Sequence, residues 1–123
     1  MKFFKCSHCG NIIAFMESKG VSVMCCGQKM EELVPGSTDA AAEKHVPVIT
    51  VDGNTVTVTV GDVAHPMTEE HHIAWIILET KNGFQKKELS PTGAPSATFA
   101  LADDEAVAAY AYCNLHGLWK KEL

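Results

Sequence analysis

The chain of 123 residues has no arginine: all ten basic residues are lysines. Against fifteen carboxylates the formal net charge is −5. The clustered positive charge that phosphate backbones require is therefore missing, which argues against a nucleic-acid binder. No apolar run reaches the ~18 to 20 residues that cross a bilayer. The opening MKFFKCSHCG offers no apolar segment of signal-peptide length before its first cysteine. Membrane insertion and classical secretion are not expected, and a cytoplasmic protein is. There is no internal repeat and no low-complexity tract. The apolar fraction of 46 % and charged fraction of 20 % exclude a disordered chain.

What the chain does have is cysteine in an unusual arrangement. There are five, an odd number, and four lie in the first 26 residues as C-x-x-C and then an adjacent pair. A secreted disulfide scaffold uses an even number spread through its core, so this pattern points to metal thiolates in a reducing compartment. The charge divides at the same place. Residues 1–36 carry four lysines and three glutamates, net +1, and the rest carries six lysines and twelve carboxylates, net −6. The segment PGSTDAAAE, 35–43, reads as a linker. We place a boundary near residue 36, giving domains 1–36 and 37–123.

The first unit shows strand-like stretches at 2–5, 11–15 and 21–24 separated by Gly10, Gly20 and Gly27. Below roughly 40 residues such a unit cannot offset its chain entropy without a metal, disulfides or a partner. Cys6, Cys9, Cys25 and Cys26 can supply a tetrahedral four-sulfur site, with Gly10 letting the first pair turn. Adjacent residues of an extended segment point opposite ways, so Cys25 and Cys26 reach one ion only if the backbone bends there, a freedom Gly27 offers. Buried free thiols or disulfides are the alternative. Spacing does not decide between zinc and iron. His8, inside the C-x-x-C loop, reads as a solvated residue.

Beyond residue 45 the pattern is β. VPVITV (46–51) and TVTVTV (55–60) flank a DGN turn, and the valines of the second run share one face. IAWIILET (73–80) and FQKKEL (84–89) read as a hairpin turning at Asn82-Gly83. Residues 97–101 and 107–112 are further strands, although the alanines and leading carboxylates of DDEAVAAYAY suit a helix as well. Frequent turns between short strands favour an all-β sandwich. Its loops hold His45, His65, His71, His72, Cys113 and His116. One thiolate beside several neutral imidazoles suits iron, copper or zinc.

In this order, CSHCGN, VMCCGQKM, PGSTD, EKHVPVI, HPMTEEHHI and YCNLHGLWK resemble the desulfoferrodoxin family, the two-iron form of superoxide reductase. The resemblance covers almost the whole chain. It implies a mainly β protein: a small desulforedoxin- or rubredoxin-like metal knot, then an immunoglobulin-like β-sandwich similar to the neelaredoxin catalytic domain. It implies one iron on Cys6, Cys9, Cys25 and Cys26, where zinc can substitute. A second, catalytic iron would take His45, His65, His71 and His116 around its equator and Cys113 as the axial sulfur. Glu43 and Lys44 match the family's glutamate and lysine near the open position. His72 and Leu118 depart from what relatives often carry, and the spacing from His65 favours His71 over His72 as the ligand. The implied reaction is one-electron reduction of superoxide to hydrogen peroxide, with an external donor such as rubredoxin and a homodimeric assembly. The competing readings are a non-catalytic iron electron carrier or metal-binding module, and a superoxide dismutase.

Overall fold

A computed structural model describes all residues, 1–123, as two compact units, Met1–Val34 and Pro35–Leu123. In the first, strand β1 (Phe3–Lys5) lies between β2 (Ile12–Ala14) and β5 (Glu31–Glu32), antiparallel to both. A separate hairpin joins β3 (Met24–Cys25) to β4 (Gln28–Lys29). Only Phe3, Cys6 and Met30 are buried here, too little apolar surface to hold a unit of this size. The strand expected over 21–24 is not formed before Met24. Val21 is 75 % exposed, and β-branched residues favour strands only where a neighbouring surface packs against them.

The second unit is an antiparallel sandwich. A three-stranded sheet has the order β10 (Ser96–Ala100), β7 (Thr55–Val60), β6 (Pro47–Asp52). It faces a four-stranded sheet ordered β12 (Gly117–Glu122), β11 (Ala106–Cys113), β8 (Ile73–Thr80), β9 (Gly83–Glu88). The chain changes sheet after β7, β9 and β10, the crossing pattern of an immunoglobulin-like fold. Val56, Val58 and Val60 are wholly buried while the intervening threonines are not, as a half-buried strand requires. They pack against Ile76, Leu78, Phe99, Ala109 and Ala111 in one core.

DDEAVAAYAY resolves as a strand because β11 lies between β8 and β12 and everything from Ala108 to Cys113 is buried. A surface helix would need a polar face that this stretch lacks. The β8–β9 turn is Lys81-Asn82, since Thr80 pairs with Gly83, so the expected Asn82-Gly83 turn is displaced by one residue. Lys81 N–H donates to Glu105 O and Asn82 N–H to Asp104 Oδ1, fixing that register from outside the hairpin. β12 escapes sequence patterning because its adjacent Leu118 and Trp119 are both buried, breaking alternation.

Residues 35–43 do not behave as a free linker. Gly36 N–H donates to Leu118 O, and Thr38 Oγ1 donates to His116 O at 2.6 Å. The segment ends in a single helical turn, α1 (Ala42–His45). No helix is long and apolar enough to cross a membrane.

Candidate metal centres

The four thiols of the first unit converge, with all their Sγ atoms within 4.8 Å of one another. Cys9 and Cys25 Sγ are 3.7 Å apart. A tetrahedral ion with sulfurs at ~2.3 Å sets neighbouring sulfurs ~3.8 Å apart, so the pair already stands at the spacing an ion needs. The first pair sits on a turn closed by Cys6 N–H to Asn11 O and Gly10 N–H to Cys6 O. The second pair bends where Gly27 allows, and Cys26 takes part in the bend. Cys25 pairs with Gln28, leaving Cys26-Gly27 as a two-residue hairpin loop with φ of 53° and 73°. Positive φ at both positions is the signature of the tight hairpin turn that Asn-Gly usually occupies. Cys26 itself takes the left-handed conformation, at a cost of about 1 kcal/mol or more for a residue with a Cβ. That turn swings its sulfur to the side of Cys25.

Hydrogen bonds prepare one sulfur for charge and oppose it at two others. Cys9 N–H donates to Cys6 Sγ, which brings the Cys6 thiol down to about 6. Cys26 is pushed up to about 12, first by its contact with Cys9. Four thiolates cannot coexist there unless a cation compensates them. All five cysteines of the chain are free thiols.

In the second unit the loop ends of the sandwich gather His45 from α1, His65 from the β7–β8 loop, His71 just before β8, Cys113 at the end of β11, and His116 in the β11–β12 turn. Ligand atoms of His45, His65, His71 and Cys113 all lie within 4.8 Å of one another. His116 adjoins them through Nδ1, 3.1 Å from His45 Nε2 and 3.8 Å from Cys113 Sγ. The imidazoles form a closed ring in the order 45, 65, 71, 116. Neighbouring centroids are 4.6, 4.7, 5.1 and 5.0 Å apart, with planes crossed by 78–84°. His45 and His71 face each other across the ring at 6.4 Å.

The donor chemistry fits a cation at the middle of that ring. His45 Nδ1 is 2.7 Å from Ala41 O, and His65 Nδ1 is 2.7 Å from Pro66 O. Each Nδ1 therefore carries the proton and donates it to a carbonyl, a common second layer behind metal-bound histidine. The two Nε2 atoms are left as lone pairs facing each other at 3.2 Å, where neither can donate to the other. Nitrogens held ~2.1 Å from an ion and at right angles would be ~3.0 Å apart. His71 Nε2 is buried with no hydrogen-bond partner, an expensive arrangement for a polar atom unless an ion takes the lone pair.

Burial favours the neutral form of His45, His65 and His71. It lowers His45 and His71 and brings His65 down to about 4, and it raises the Cys113 thiol. For His65 the unfolded chain binds the proton more readily than the folded one. Its contribution to stability is thus complete above about pH 6.5 and disappears as pH falls through about 4. Metal-free protein is expected to lose on the order of 3 kcal/mol over that window. Denaturant titrations from pH 7.5 to 4 check this, and a flat profile would contradict it.

His72 turns away from the ring. Its Nδ1 lies 2.9 Å from Thr68 O and its N–H donates to Asn114 Oδ1. Neither His8 nor His72 joins a ligand cluster. Glu43 and Lys44 are exposed on α1, immediately before His45. Three contributors carry no motif of their own. Trp119 covers His45 at a centroid distance of 4.9 Å, and its Nε1–H donates to His116 O. Asn114 ties two ligand-bearing loops together. Gly61 makes room for the main chain of Glu43 and Lys44. The turn chemistry of Asn and Gly marks such positions in a sequence, but only contacts show what they support.

Comparison with known proteins divides the chain in the same way. The profile of the desulfoferrodoxin family matches residues 37–122, and that of the desulfoferrodoxin N-terminal domain matches residues 1–33. The desulfoferrodoxin of Nitratidesulfovibrio vulgaris is 48 % identical over 121 residues, covering 98 % of this chain and 95 % of that one. The superoxide reductase of Thermococcus kodakarensis is 39 % identical over 106 residues, covering 71 % and 91 %. Among solved structures, the superoxide reductase from Treponema pallidum superposes with a TM-score of 0.84 at 46 % identity, covering 98 % of both chains. The neelaredoxin-type superoxide reductase of Archaeoglobus fulgidus, in its reduced form, gives 0.54 at 36 % identity over 66 % of this chain and 89 % of that one. The sulfur cluster falls inside one matched segment and the histidine–cysteine ring inside the other, and the chain belongs to the desulfoferrodoxin family.

Proposed function

We propose that this protein is a superoxide reductase, catalysing O₂⁻ + e⁻ + 2H⁺ → H₂O₂ at the histidine–cysteine centre. Residues 37–123 act as its catalytic domain and 1–36 as an iron-binding domain. The observation that carries this reading is the ring of four imidazoles, with the Nε2 atoms of His45 and His65 facing each other and His71 Nε2 buried without a partner, beside a single buried thiol. Iron held by His45, His65, His71, His116 and Cys113 would supply the electron and one coordination position that no side chain fills. The protein fixes the tautomers of His45 and His65 through the Ala41 and Pro66 carbonyls, so both nitrogens are ready before a metal arrives. Cys113 concentrates the only anionic charge of the donor set in the dry interior, where it is strongly felt.

Lys44 works against the field of its own domain. The segment after residue 36 is net −6 and repels an anion at long range. Lys44 precedes His45 directly on α1, and its charge adds to the lowering that burial causes in His45 and His71, which supports a role beside the ring. It draws superoxide in and orients a proton-donating water. Lys44→Ala is expected to slow the second-order reaction about tenfold at low salt and to flatten its ionic-strength dependence. Stopped-flow rates at several salt concentrations check this, and a wild-type rate at low salt removes the role. Glu43, on the same exposed turn, carries a carboxylate that would serve as a further ligand for iron held in the ring.

The four-sulfur site has a closed donor shell and no room for substrate, so its proposed role is to relay electrons. An external one-electron donor such as rubredoxin, a homodimeric assembly and a cytoplasmic location complete the proposal. Five free thiols support the last of these. The test supplies superoxide and a limiting reductant to the iron-loaded protein while oxygen and peroxide are followed. Reduction gives one peroxide per electron and evolves no oxygen from the catalysed reaction. Oxygen equal to half the superoxide consumed would identify a dismutase.

A further inference from the structure

The β11–β8 ladder breaks at the site. Tyr112 pairs with Trp75 but Cys113 pairs with Ile73, so a bulge ends regular pairing one residue before the two strands release their ligands. Past that break one side chain continues the connection. The carboxamide of Asn114 accepts from His72 N–H at 2.9 Å and donates through Nδ2 to Glu70 O at 3.0 Å. The Asn114 main-chain N–H donates to His72 O at 3.1 Å. The Glu70 carbonyl and the His72 N–H belong to the two peptide units on either side of His71. Binding both fixes the planes that set the φ and ψ of His71.

His71 needs this more than His45 and His65 do. The rings of His45 and His65 are each pinned by a hydrogen bond from Nδ1 to a carbonyl. His71 is held through its main chain instead, by Asn114 on one side and on the other by Thr68, whose Oγ1 accepts from His71 N–H at 3.1 Å. Asn114 also follows Cys113 directly and stands two residues before His116. We propose that Asn114 is the positioning residue of this centre, locking His71 to the segment that carries Cys113 and His116. Among residues of this length only asparagine presents a donor and an acceptor together. Aspartate keeps the acceptor for His72 N–H but sets a second anionic oxygen against the Glu70 carbonyl, and alanine keeps neither.

The inference rests on the metal reading above, and the experiment separates the two. Full-length, iron-loaded wild type, Asn114→Ala and Asn114→Asp are challenged with a chelator while the absorption of each centre is followed. Loss of an outer-layer partner typically weakens metal binding about 10- to 100-fold. The iron of the histidine–cysteine centre is expected to leave Asn114→Ala about 10- to 100-fold faster than wild type, with Asn114→Asp between them. The four-sulfur iron should leave all three at one rate. The sulfur-to-iron band from Cys113 should shift in both variants, which a change in bulk stability alone would not produce. If Asn114→Ala fails to fold, Asn114→Asp decides. Wild-type release together with an unshifted band in the folded variants overturns the proposal. A wild-type chain that takes up no metal at the histidine–cysteine centre overturns the metal reading itself, and this inference with it.

Discussion

Replacing Cys113 by serine is expected to abolish the sulfur-to-iron charge-transfer colour of the second centre and its superoxide reduction, while the four-sulfur centre keeps its spectrum. Cys113 is wholly buried, ends β11, and packs against the sandwich core. Burial pushes its thiol up, against the main-chain N–H groups of Leu115 and His116, which favour the thiolate. These donors provide for a sulfur anion at a place where only a bound cation makes one stable. Serine fits the volume but stays a neutral hydroxyl, so the donor set loses its only anionic charge and its only soft atom. Loss of an outer partner alone costs about 10- to 100-fold, so loss of this ligand should cost more than about 100-fold in rate. Burying the hydroxyl costs a further ~1–3 kcal/mol of stability. Absorption spectra, iron per chain and stopped-flow superoxide decay report the three effects separately. Retained colour and rate would remove Cys113 from the centre.

The second large effect is expected at a residue without a side chain. Gly61 has a φ of 89°, and a Cβ built there would lie 2.3 Å from Val63 O, 2.8 Å from Lys44 O and 2.9 Å from Glu43 O. All three are backbone atoms, so no flexible side chain can move aside. The same place is stitched by Gly61 N–H to Val46 O and by Val63 N–H to Glu43 O. It is the seat on which the turn bearing Glu43, Lys44 and His45 rests against the loop bearing His65. Gly61→Ala must push these two segments apart or unfold one of them. We expect about 3 kcal/mol or more of destabilisation from strain and overlap combined, with metal at the histidine–cysteine centre held at least about tenfold less tightly. The four-sulfur centre in the same chain serves as the internal control. Thermal denaturation and chelator release measure the two effects, and wild-type values in both would show that the seat yields without cost.

How much of this was legible in the sequence depended on the range of the interactions involved. Thr55–Val60 declared itself because alternation is local and the strand obeys it. The stretch ending at Cys113 was ambiguous because β11 is covered on both faces, so its alanines and tyrosines show no alternation. The four thiols were legible as a cluster from spacing. The bend that brings Cys26 in was legible through Gly27, but the left-handed conformation of Cys26 itself was not, since a cysteine at positive φ inside a hairpin loop has no sequence signature. Residues 35–43 looked like a linker because small polar residues are what linkers are made of. Their order comes from partners about eighty positions away, Leu118 and His116. The histidines were identified by their resemblance to a family, while their order around the ring is a property of loop packing alone. The spacing from His65 already favoured His71 over His72, and the hydrogen bonds of Asn114 and Thr68 are what hold the two apart.

Both centres follow from one physical circumstance: donor atoms crowded together that cannot tolerate one another without a cation. Iron content per chain, measured with absorption spectra of the oxidised and reduced protein, tests this most directly. The account predicts two irons per chain and two separate sulfur-to-iron bands, one lost in Cys113→Ser and the other unaffected by it. A protein that binds metal at the four sulfurs alone, with no second band in either oxidation state, would contradict it.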